Sequence, residues 1–132
     1  MIENLSAGIY DYLAVQTNTF KTAITNGLFT PSADDNTNPP YAVFNDVSPS
    51  TDRDTVNKFE TQRIQIICYS NSYAGVLDLQ QKLWDRFDDA EGSFSVTGYN
   101  LIEVTREAPS GLITELDKVF ISTTQYKIVI QK

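Results

Sequence analysis

Along residues 61–70 the chain alternates, with Ile64, Ile66 and Cys68 on one side and Arg63, Gln65 and Tyr69 on the other. A period of two in a run rich in β-branched residues predicts a half-buried strand. Asn71 and Ser72 break the alternation and offer side-chain oxygens to cap a helix. From Tyr73 to Phe87 the period turns helical, with Tyr73, Val76, Leu77, Leu79, Gln80, Leu83, Trp84 and Phe87 covering one broad side. Burying five of the large side chains on that helix would contribute roughly 10 kcal/mol before entropy, at ~2 kcal/mol each. It is the expected core helix.

The same reading orders the rest of the chain. Ile2, Leu5, Ile9, Tyr12 and Leu13 recur at helical spacing, with Glu3 in the first turn, where a negative charge suits the dipole; a helix is expected over residues 2–15. Thr17, Asn18 and Thr19 can end it and cap a short second helix with Phe20, Ala23 and Ile24 inward, stopped at Asn26-Gly27. Residues 28–30 read as a short extended piece and 31–40 as a loop heavy in Asp, Asn, Ser and Pro. A strand follows at 41–47. Residues 48–59 are too many for a tight hairpin turn, whose loops run to about five residues, and read as a long projecting loop. After the core helix come a turn at 88–92, a short strand around Phe94 and Val96, and a strand at 99–107. Punctuation at 108–111 precedes a closing strand within 119–131, in which Tyr126, Ile128 and Ile130 share one face. The order α-α-β-β-α-β-β predicts an α+β fold, a mostly antiparallel sheet of about four strands with helices on one face, as a single domain spanning residues 1–132.

Charge narrows the classes. The net charge is −7, and it is spread evenly: residues 1–66 carry 4 basic and 8 acidic side chains, residues 67–132 carry 6 and 9. No basic stripe exists to neutralise phosphates, so tight nucleic-acid binding is disfavoured. Cys68 is the only cysteine, which precludes an internal disulfide. The N-terminus lacks the pattern of a signal peptide, and no apolar run approaches the ~20 residues that span a bilayer. No membrane partner is expected.

Candidate chemistry is thin. The chain has no histidine, which removes the commonest general base and metal ligand. Cys68, at an inward strand position, reads as a buried, inert thiol. Asp34, Asp35, Asn36, Thr37 and Asn38 imitate half of a calcium loop, but Pro39 stands where glycine is needed and Asn45 where a bidentate Glu belongs. Asp85, Asp88, Asp89 and Glu91 crowd the end of the core helix, as a solvated helix terminus, an acidic surface patch, or the carboxylates of a metal-dependent hydrolase. No catalytic residue, cofactor or metal site is assigned, and no enzyme activity is expected. Leu112, Ile113 and Leu116 read either as core or as an intersubunit contact. Ile67 and Tyr69 make the second face of the sheet rather apolar for solvent, which points to a partner. Asp52, Arg53, Asp54, Lys58 and Phe59, on or beside the long loop, complete the candidate interface.

The order of these elements, with Pro-Pro-Tyr-Ala-Val-Phe at 39–44, the run Gln-Arg-Ile-Gln-Ile-Ile-Cys-Tyr-Ser at 62–70 leading directly into a helix, and a β-rich close, resembles the tail terminator (tail completion) proteins of long-tailed bacteriophages. The resemblance covers nearly the whole chain; residues 112–120 are longer than it leads one to expect. It implies a virion protein of the tail or neck, made in the host bacterial cytoplasm and assembling with itself into a homohexameric ring. Such a ring would cap the tail tube, meet the head-completion or connector protein, and let DNA pass through its lumen without tight binding. The alternatives are a small ligand-binding or regulatory α+β module and another ring protein of the neck.

Overall fold

The computed structural model describes residues 3–47, 52–54, 56 and 58–132. The expected first helix is α1 (Glu3–Tyr10) running straight into a π-helical turn, Asp11–Val15. Leu5, Ile9, Tyr12 and Leu13 are its buried residues, so the wider turn keeps two consecutive side chains inward. Asn18 caps α2 (Thr19–Ala23), its side chain accepting from the Lys21 N–H at 2.9 Å. The chain then reverses through Gly27, whose φ of +108° favours a residue without a Cβ.

Among the described residues six strands form one sheet, two more than the sequence suggests: β1 (Leu28–Phe29), β2 (Tyr41–Asp46), β3 (Asp52–Asp54), β4 (Phe59–Ser70), β5 (Asn100–Leu116) and β6 (Val119–Gln131). The order across the sheet is β1-β2-β4-β6-β5, and every pairing is antiparallel except β1 with β2. The expected projecting loop at 48–59 is corrected in part. Residues 48–51, 55 and 57 lie outside the described residues, but 52–54 are a strand rather than a loop. One edge of β4 is taken by β6 along its whole length, so β2 and β3 share the other, with Asp46 opposite Ile64 and Asp52 opposite Thr61.

Helix α3 (Tyr73–Phe87) covers one face. Ser72 caps it by accepting from the Gly75 N–H at 3.0 Å, and Val76, Leu79, Gln80, Leu83 and Phe87 are buried. Tyr73 and Leu77, expected inward, are exposed. They sit at the margin of the apolar stripe, where Tyr73 still meets the Phe120 ring edge-on at 6.0 Å. The core packs the inward residues of α1, the π-turn and α3 against Phe44, Ile64, Ile66, Val104, Tyr126, Ile128 and Ile130 of the sheet. Phe94 and Val96 do not form the expected strand. A single bridge joins Val96 to Tyr99, and Phe94 stacks on Tyr12 at 4.9 Å and on Phe87 at 5.7 Å. Its apolar character serves packing of rings, which alternation over so short a run cannot distinguish from a strand.

β5 and β6 make a long hairpin closed by Asp117 and Lys118, both with positive φ (51° and 65°), as a two-residue type I′ connection requires. The stretch at 112–120 is therefore the outer end of this hairpin. Its register shifts between Glu107 and Leu112, where 108–111 bulge out. Gly111, at φ +81°, passes beside Trp84, where a Cβ would meet the ring in ordinary contact at 3.4 Å.

Candidate functional site

Strand alternation sorts the candidate residues by face. Along β4, Glu60, Gln62, Ile64, Ile66, Cys68 and Ser70 are buried towards the helices, while Phe59, Thr61, Arg63, Gln65, Ile67 and Tyr69 are half-buried on the opposite face. That face divides in two. At one end Tyr41 stacks on Tyr69 at 4.4 Å and Phe29 meets Tyr41 edge-on at 6.1 Å. Ile67 and Tyr69 pair across β6 with Thr123 and Ile121, which pair in turn with Leu112 and Thr114. Burial pushes both the Tyr41 and the Tyr69 phenol above their ordinary range, and Tyr41 itself adds to the effect on Tyr69. At the other end the face is ionic: Arg63 meets Glu107 at 3.2 Å and Lys127 meets Glu103 at 3.0 Å. The Lys127 hydrogen bond, helped by Thr105, holds the Glu103 carboxyl below its usual range.

The hairpin end separates residues that the sequence groups together. Leu112 and Leu116 are 62% and 65% exposed on the outer face, but Ile113, opposite Ser122, turns the other way and packs against the core. Of the two readings the sequence leaves open for it, this packing favours core over intersubunit contact, because adjacent strand residues point to opposite faces. Lys58 is exposed with φ +61°, and its carbonyl accepts from the Lys132 N–H at 3.2 Å.

The four acidic residues at the end of α3 are likewise divided. Asp88 accepts from the Tyr126 hydroxyl at 2.6 Å and meets Arg106 at 3.5 Å, while Arg106 lies over the Trp84 ring at 3.7 Å. Burial, and then the Asp88 carboxylate, drive the Tyr126 phenol far above its ordinary value. Glu91 accepts from the Val104 N–H at 3.4 Å, and Asp89 takes a left-handed turn while donating its own N–H to the Val104 carbonyl at 3.1 Å. Asp85 accepts from Gln81 at 2.8 Å. Asp88 and Glu91 thus hold the helix end to β5, which leaves Asp85 and Asp89 as exposed charges. Among the described residues no group of three Asp, Glu, Cys or His side chains is placed to hold a metal. Cys68 is buried, and burial pushes its thiol up to about 12.

Two features escape the sequence reading. A cleft of about 670 Å³ opens between α1 and the edge of the sheet, with Tyr10, Val15 and Pro31 in its walls and Glu3, Asp11 and Asp46 around it. Its signal was present in Tyr10 and Val15, apolar residues that fall off the inward stripe of the first helix. The second is a smaller cleft of about 350 Å³ where the 108–111 bulge passes Trp84 and Arg106. Its walls come from segments far apart in the chain, and no local pattern marks it.

By its fold this is an α+β protein with helices on one face of a six-stranded, mostly antiparallel sheet. It is similar, at a TM-score of 0.79, to a chain in the virion of a native gene transfer agent (GTA) particle, over 97% of this chain and 95% of that one. Identity between the two is 8%, so what they share is the fold. No family model matches the sequence, and no curated protein does.

Proposed function

We propose that this protein is a structural virion subunit of the tail-terminator kind, assembling as a ring that caps a tail tube and offers its far side to the head connector. The observation that carries this reading is the likeness in fold, nearly end to end on both chains, to a chain of a GTA virion. The sequence resemblance drawn independently from the order of elements points to the same class of particle. The surfaces suit an assembling subunit: an apolar half-face at Tyr41, Ile67, Tyr69 and Ile121, and a hairpin end that exposes Leu112 and Leu116. Asp52, Arg53 and Asp54 form the short β3 edge and Lys58 its turn, at the opposite side of the sheet from β5, while Phe59 begins β4 between β3 and β6. Contacts between opposite edges are head-to-tail, the type that closes rings. With a net charge of −7 and exposed Asp85 and Asp89, the assembled surface would repel phosphate, letting DNA slide through.

Tail-tube protein polymerised with and without this chain tests the role. Electron microscopy is expected to show tubes that stop growing with an added disc at one end. Tubes of unaltered length that carry no bound protein would overturn the terminator reading. Binding only to the head-completion or connector protein would favour a different neck ring.

A further inference from the structure

The first helix does not end as an ordinary α-helix. In one, the Gln16 N–H would reach back to the Tyr12 carbonyl. It reaches one residue further, to the Asp11 carbonyl at 2.9 Å, and Asp11–Val15 is a π-helical turn. The inward residues do not demand this. Leu5, Ile9, Tyr12 and Leu13 fall on one stripe of an α-helix as well, so their burial does not choose between the two forms.

The choice is made from another element. Arg86, in the last turn of α3, gives the Tyr12 carbonyl two donors of its fork, Nη2–H at 3.0 Å and Nε–H at 3.2 Å. A carbonyl oxygen has two lone pairs, and Arg86 takes both, which leaves none for the Gln16 N–H. Asn18 adds only a longer contact at 3.3 Å, its closest partner being the Gln16 carbonyl at 2.7 Å. Hydrogen bonds from a charged donor are about twice as strong as neutral ones, so the guanidinium outcompetes a backbone amide for the same oxygen.

The guanidinium is also held in place. It lies 3.6 Å from the centre of the Tyr12 ring and donates to the Gln16 side chain at 3.2 Å, which donates onward to the Asp11 carboxylate at 2.8 Å. In return the Tyr12 hydroxyl donates to the Arg86 carbonyl at 3.0 Å, in the turn of α3 where helical carbonyls lack partners within the helix. Each helix end is completed by a side chain of the other.

We infer that the end of the N-terminal helix is a two-state element, π-helical while Arg86 holds the Tyr12 carbonyl and α-helical once that carbonyl is released to Gln16. Gln16 is exposed and Arg86 half-buried, so an event at the end of α3 reaches the first helix through one side chain, 74 residues away in the chain. The inference does not rest on the terminator reading.

Crystal structures of the wild type and of three variants test it. Arg86→Met keeps the bulk of the side chain and removes every donor. The expected result is loss of the Gln16–Asp11 hydrogen bond, with a Gln16–Tyr12 bond in its place. Arg86→Lys keeps the charge and the stem and serves where Arg86→Met does not fold. Its ammonium fills one lone pair where the fork fills two, and the freed one should take the Gln16 N–H. Tyr12→Phe loses the hydroxyl bond to α3 but leaves the guanidinium on the carbonyl, and should keep the π-turn. A wild type with the Gln16 N–H already on Tyr12, or a folded Arg86 variant that keeps it on Asp11, would overturn the inference. So would loss of the π-turn in Tyr12→Phe with the guanidinium still in place. None of these outcomes bears on whether the protein caps a tube, so the two proposals fail separately.

Discussion

Tyr126 shows how single side chains tie the end of the core helix to the sheet. Its ring is fully buried and meets Phe87 edge-on at 4.8 Å, and its hydroxyl donates to Asp88. Tyr126→Phe removes a hydrogen bond to a charged group and is expected to cost about 1.5–3 kcal/mol at neutral pH, measured by urea unfolding. The pH dependence follows from the raised phenol. In the unfolded chain it ionises near its ordinary value of 10.0, while in the folded state burial and Asp88 keep it protonated. The stability it brings is therefore complete below that value and is lost as the pH rises beyond it. The wild type should weaken steeply on the alkaline side, and Tyr126→Phe should flatten that limb without abolishing it, because Tyr41, Tyr69 and Cys68 are shifted in the same direction. Cys68 offers a second check. Buried, and with its thiol pushed up to about 12, it should react with iodoacetamide at neutral pH only as fast as the protein opens. Fast labelling of the native protein would contradict the packing described for β4. At this scale the sequence was informative about burial and poor about partners. Ile64, Ile66 and Cys68 read correctly as inward from alternation, but nothing local showed that Asp88 faces a tyrosine 38 residues away.

Elements with a sustained period were legible before the structure. β4, α3 and β6 lie where alternation or helical spacing puts them, because each presents one continuous apolar side to the core. What was hidden is long-range. β3 has three residues and exists by pairing with β4, and β5 extends past a bulge that lies against Trp84 on another element. The bulge also explains Ile113. Counting from the punctuation at 108–111 gives no face, since the inserted residues break the phase of the strand. Trp84 donates to Thr124 at 3.0 Å, and Gly111 passes over its ring at ordinary contact distance. Gly111→Ala should destabilise by about 1–2 kcal/mol, through the positive φ. The hairpin end gives the opposite expectation. Asp117→Asn with Lys118→Gly places the favoured pair in a type I′ turn and should raise stability by about 0.5–1 kcal/mol, read as an increase in Tm. A fall in Tm would mean that the turn is held by something other than its own backbone.

At the scale of the whole molecule, fold class was readable from the order of elements, while sheet order, the single parallel pair at β1 and the cleft beside α1 were not. Those depend on which segments meet, and periodicity records only which side of a segment is buried. The same limit applies to function. At 8% identity what is shared with the GTA virion chain is the fold, and a fold does not by itself fix a function. The proposed ring would use the uncovered sheet face and the two opposite edges head-to-tail, a type of contact that generates rings or filaments rather than isolated pairs. Native mass spectrometry of the purified chain, alone at high concentration and after addition of tail tubes, tests that claim most directly. A closed species of six chains, free or released from the tube end, is the predicted result. A strict monomer under both conditions would contradict it.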